Sequence, residues 1–95
     1  VSEADRDQLL ALWERTDREI RTALDGAQVP ERVRADVIGY LEVNELGLAF
    51  QWLVESLADA GEDVSDPVLA HLGTAAREMG LEADPGWRRL LGGRP

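Results

Sequence analysis

The 95-residue sequence has no cysteine, no lysine and a single histidine, and these absences remove whole classes of chemistry. Without cysteine there is no disulfide framework, no thiolate nucleophile and no thiolate metal ligand, a composition that fits a cytoplasmic protein. Arginine carries every basic charge, which reads as coding bias rather than chemistry. No stretch approaches the roughly 18–20 uninterrupted apolar residues of a membrane span. The opening run Val1-Ser2-Glu3-Ala4-Asp5 is acidic and polar, the reverse of a signal peptide. Neither of the glycine-rich spacings that cradle phosphate is present. His71 falls on the flank of an apolar stripe, where a surface position is the ordinary outcome. The loop 59–65 loosely follows a calcium loop, but Val64 stands where glycine is needed and Ala70 where glutamate is needed. Carboxylates at helical spacing, Glu42 with Glu45 and Glu55 with Asp59, lack the histidine that helical di-metal sites pair with glutamate. The sequence therefore predicts a binding protein with no catalytic residue, no metal and no cofactor.

What is present is helix punctuation. A chain of this length builds one modest core and hides roughly 60–70% of its unfolded surface. Ser2 with Asp5 three residues on forms a capping box that opens a first helix. Its apolar stripe is Leu9, Trp13, Ile20 and Leu24, with Thr16 filling the gap, and Gly26 ends it. Glu14 with Arg18, and Asp17 with Arg21, are acid-before-base pairs suited to its solvated side. Pro30 suits the first turn of a second helix whose core face is Val33, Val37, Tyr40 and Leu41. Asn44 marks either a break and cap before a third helix, 45–60, or a kink in one continuous rod. The inner stripe of the third helix is Leu46, Phe50, Leu53 and Leu57, with Ala49, Val54 and Ala60 beside it and Gly61 as its stop. Ser65 or Asp66 caps a fourth helix, with Pro67 just inside. Val68, Leu72, Ala75, Ala76 and Met79 face inward there, and Gly80 closes it. After Pro85-Gly86, the segment Trp87-Arg88-Arg89-Leu90-Leu91 adds one more short turn. No segment alternates with period two for long enough to make a strand. The expected fold is all-α, a compact four-helix bundle with a short C-terminal turn, forming a single domain over 1–91 with a loose tail over 92–95.

Charge is unevenly spread. Residues 1–34 carry a net −2 and residues 77–95 carry +1, so −8 of the total −9 lies between residues 35 and 76, where there is no arginine or lysine. Mixed signs serve solubility well, whereas a one-signed block adds self-repulsion. Such a block favours a basic partner and disfavours nucleic acid and anionic membranes. In projection, Leu48 and Trp52 fall opposite the core stripe of the third helix, beside Glu45, Glu55 and Asp59. Trp52 is then either packed under a neighbouring element or an exposed aromatic anchor ringed by carboxylates. The candidate partner-binding residues are Glu42, Glu45, Leu48, Trp52, Glu55, Asp59, Glu62, Asp63 and Asp66.

The run Tyr40-Leu41-Glu42-Val43-Asn44-Glu45-Leu46-Gly47-Leu48-Ala49-Phe50-Gln51-Trp52-Leu53 resembles the helix-break-helix segment of MafI-type immunity proteins, small bacterial antidotes to polymorphic toxins. Asn44-Glu45, Gly47-Leu48-Ala49, the acidic loop Gly61-Glu62-Asp63-Val64-Ser65 and Met79-Gly80-Leu81 carry the resemblance, with Leu46 where an aromatic is common. It covers about half the chain, residues 33–81, and leaves the first helix and the tail aside. The resemblance implies neutralisation of a cognate toxin, often a nuclease, in the cytoplasm by tight non-covalent binding. A free monomer and stoichiometric occlusion of a basic toxin are the corresponding expectations. The other reading of the same acidic face is an adaptor or regulatory domain that docks a transcription or signalling protein.

Overall fold

The computed structural model describes residues 2–92. Among them lie five helices and no strand: α1 (Glu3–Gly26), α2 (Glu31–Glu42), α3 (Leu46–Ala60), α4 (Asp66–Met79) and α5 (Pro85–Gly92). α3 is central and packs against the other four, α4 lies along α1, and α2 and α5 each lean on α3.

The helix ends follow the punctuation. Ser2 Oγ accepts a hydrogen bond from the Asp5 amide at 3.2 Å, and Glu3 and Asp5 complement the positive end of the α1 dipole. Asn44 adopts a positive φ of 61° and separates α2 from α3, so the two are distinct helices rather than one kinked rod. The Glu45 amide donates to Tyr40 O at 2.8 Å and the Asn44 amide to Leu41 O at 3.0 Å, the two bonds of a Schellman ending. Gly80 ends α4 in the same way, with Leu81 N bonded to Ala76 O at 2.8 Å and Gly80 N to Arg77 O at 3.3 Å. Ser65, not Asp66, caps α4, accepting from the Val68 amide at 3.5 Å.

Gly26 has a second role. A Cβ on it would stand 2.9 Å from Val68 Cγ2, so the residue lets α4 close onto the end of α1. Higher up the same contact Thr16 is buried, and its hydroxyl lies 2.9 Å from Leu12 O and 3.2 Å from Glu78 Oε1.

Three expectations for the core need correction. Leu9 and Trp13 are 44% and 39% exposed, because the 24-residue α1 is about 36 Å long while its partner α4, with 14 residues, spans only about 21 Å. Only Thr16, Ile20, Ala23 and Leu24, toward the covered end of α1, are buried. Tyr40 is exposed where Val33, Val37 and Leu41 are buried, and Ala60 is exposed at the end of α3. Met79 is half-buried against the core.

The C-terminal segment is more than a turn. Asp84 caps α5 by accepting from the Trp87 amide at 3.1 Å, and its other oxygen accepts from Gln51 Nε2 at 3.0 Å. Trp87 and Leu90 are buried, and the Trp87 ring lies 5.9 Å from that of Phe50 at an angle of 57°. The bundle is therefore completed by a fifth helix of eight residues. Gly92 is its last residue, and the rest of the tail expected to be loose lies outside the described residues.

Candidate protein-docking face

The face is built by α3. Its buried residues Leu46, Ala49, Phe50, Leu53, Val54 and Leu57 turn one side inward. Leu48, Trp52, Glu55 and Asp59 recur at spacings of four, three and four, which places them in one stripe on the outer side. Leu48 is 47% and Trp52 38% exposed. Glu55 and Asp59 are exposed toward the C-terminal end of the same stripe, and Glu45 is exposed at its N-terminal end.

The other candidates lie on the elements before and after α3. Glu42 is the last residue of α2, two residues before Asn44. Glu62 and Asp63 sit in the α3–α4 connection, exposed. Asp66, also exposed, is the first residue of α4, the helix that packs along α1. The structure thus gathers Glu45, Leu48, Trp52, Glu55 and Asp59 on one helix face, leaves Glu42, Glu62 and Asp63 in the segments flanking α3, and places Asp66 on a different helix, α4.

α5 modifies that rim. Gly86 lies so close to α3 that a Cβ there would stand 2.8 Å from Glu55 Cγ and 3.2 Å from Val54 Cγ2. One turn on, the Arg89 guanidinium meets Asp59 Oδ1 at 2.5 Å. The hydrogen bond and charge of Asp59, joined by the charge of Glu55, raise the pKa of Arg89 above its ordinary value. The acidic block of residues 35–76 is therefore compensated in space at Asp59, by a residue 30 positions away in the chain. Around Trp52, Glu45 and Glu55 form no ion pair among the described residues, although Glu55 lies within the field of Arg89.

Elsewhere two polar pairs join α1 to α4. His71 Nδ1 lies 2.6 Å from Glu19 Oε2 across the α1–α4 contact, with both side chains partly exposed. Arg15 pairs with Glu78 at 3.3 Å across the same contact. Asp17 and Arg21 form their expected pair at 2.5 Å, whereas Glu14 and Arg18 do not meet. Among the described residues no three histidine or carboxylate side chains converge as a metal site, and no helix is long and apolar enough to cross a membrane.

One apolar surface was not anticipated. Leu9, Leu10 and Trp13 are exposed together on α1, although the apolar spacing predicts Leu9 and Trp13 on its core stripe. Its signal was the length of α1 relative to every later helix. Compared with known proteins, the chain matches no family model, no curated protein and no solved structure.

Proposed function

We propose that this protein is an antidote-type binding protein, an immunity protein that neutralises a basic bacterial toxin in the cytoplasm by stoichiometric occlusion. The observation that carries the reading is the outer stripe of α3, where Trp52 and Leu48 are exposed between carboxylates. Tryptophan supplies a large rigid contact with few rotatable bonds, and surrounding acids steer and orient a cationic surface over it. Helix residues hold such an anchor more rigidly than a loop would. The resemblance of residues 40–53 to MafI-type immunity proteins points to the same segment.

In this mechanism no bond is made or broken. The net charge of −9 attracts a basic partner over long range, and close docking then places Trp52 in a desolvated pocket. Glu45 and Glu55 engage the partner's cations beside it, while Asp59 is already satisfied by Arg89. A nuclease surface, shaped to hold phosphates, has the basic character this face would cover.

The test is co-expression with the cognate toxin in a sensitive cell. Growth should be restored only when the protein is present in at least equimolar amount, because occlusion consumes one molecule per toxin. Rescue at far lower amounts would mean turnover, and would overturn the reading as a non-catalytic binder. Tight binding of a non-toxic regulatory protein, without rescue of poisoned cells, would assign the same face to an adaptor.

A further inference from the structure

The antiparallel contact between α1 and α4 stops half-way along α1. Gly26 meets Val68, Glu19 pairs with His71 and Arg15 with Glu78, so α4 ends at Met79 opposite the middle of α1. Residues 3–15 run on for about 20 Å past that end, and residues 3–11 are all exposed. The step leaves a groove of about 500 Å³ at the end of α4. Leu9, Leu12 and Trp13 form its α1 wall, and Leu46, Met79 and Leu81 line the rest.

Charge selects what fits there. The charged residues lining the groove are Glu45 and Glu78, with no arginine among them. Arg15 already holds Glu78, whereas Glu45 forms no ion pair among the described residues. Arg18 lines a separate hollow, with Glu14 and Asp17 beside it. Along the bare half of α1, Glu3, Asp5, Asp7 and Glu14 stand against Arg6, and all four acids are exposed. The carbonyl end of the α4 dipole, at Met79, adds negative potential. A second copy would bring the same acids and be repelled, as would an anionic membrane, whereas a cationic apolar segment is attracted.

Backbone chemistry selects its form. An extended segment would bring unpaired amides against an apolar wall, and this all-helical fold offers no strand edge to take them. A helix satisfies its own amides and lays an apolar stripe into such a groove. The 20 Å of bare α1 accommodates about a dozen helical residues.

We infer that this groove docks a basic amphipathic helix of a partner protein. The apolar stripe of that helix lies against Leu9, Trp13 and Met79, and its cations face Glu45 and the acids of α1. The inference rests on the groove alone and not on the α3 face.

The indole N–H signals of the nitrogen-labelled chain test it by magnetic resonance, since Trp13, Trp52 and Trp87 each give one, assigned by single replacement with Phe. The probes are a synthetic leucine–lysine peptide patterned as an amphipathic helix and a leucine–glutamate peptide of the same pattern. The lysine peptide should shift the Trp13 signal saturably and leave that of buried Trp87 in place. The glutamate peptide should shift neither. Leu9→Ser and Glu45→Arg should each weaken the binding read at Trp13 by about tenfold. Both replaced side chains are exposed, and an unmoved Trp87 signal reports an intact core. A Trp13 signal indifferent to the lysine peptide, or moved equally by the glutamate peptide, would overturn the inference. So would a Trp13 signal that shifts with protein concentration alone, which would give the groove to a second copy. A lysine peptide that moves only Trp52 would overturn the groove and leave the α3 docking face standing.

Discussion

Arg89 of α5 sits 2.5 Å from Asp59 of α3, so the last helix places a cation on the edge of the most acidic part of the molecule. The contact is solvent-exposed, and pairs of this kind contribute little to folding. Its consequence is electrostatic: Asp59 is compensated before any partner arrives, Glu55 is partly so, and the attractive part of the face shifts toward Glu45.

Arg89→Ala should therefore leave the melting temperature almost unchanged and speed association with a basic partner at low salt. Stopped-flow association rates beside thermal melts check this. A slower association would show that Arg89 itself contacts the partner.

Salt should act on the same quantity. The Debye length shortens from about 10 Å at 0.1 M to about 3 Å at 1 M, so the association rate should fall steeply over that range. A rate indifferent to salt would reduce the acidic face to solubilising surface.

Trp87 has a different task from Trp52, although both are tryptophans near α3. It is buried and packed on Phe50, so Trp87→Ala should cost about 3–5 kcal/mol of folding stability, read from denaturant melts. A loss below about 1 kcal/mol would mean that α5 is not part of the folding unit.

The α1–α4 approach can be tested by adding one methyl group. Gly26→Ala would set a Cβ 2.9 Å from Val68 Cγ2, an overpacking expected to cost about 1–3 kcal/mol. Val68→Ala opens room, so the double variant should lose less than the sum of the two single losses. Strict additivity would show that the two residues do not meet.

The parts of the fold legible in the sequence were those set by local chemistry. Ser2, Ser65 and Gly80 act within one turn of themselves, and the structure finds each at the helix end where its side chain or φ requires it. Asn44 left a choice between break and kink, which the two bonds to Tyr40 O and Leu41 O resolve. The sequence predicts only a turn for α5 because eight residues give periodicity little to act on, although Asp84-Pro85 places a cap ahead of proline much as Ser65-Asp66-Pro67 does. Spacing puts Leu9 and Trp13 on the core side, because it reports which side a residue faces and not how far the neighbouring helices reach. On the candidate site, the outward direction of Leu48 and Trp52 followed from α3's own period. Arg89 beside Asp59 could not be read that way, because only the docking of α5 brings it there.

The measurement closest to the central claim sets binding against folding for one residue, Trp52. It is 38% exposed on the outer stripe of α3, so its truncation should remove partner contact more than core packing. Wild type and Trp52→Ala would be used as paired baits against the source cell's lysate, and the retained basic protein titrated against each. Trp52→Ala is expected to lose about 2–4 kcal/mol of binding, the range of a hot-spot residue, while its melting curve moves little. A collapsed melting temperature, or binding to that protein undiminished by the truncation, would contradict the assignment of this face as the docking surface.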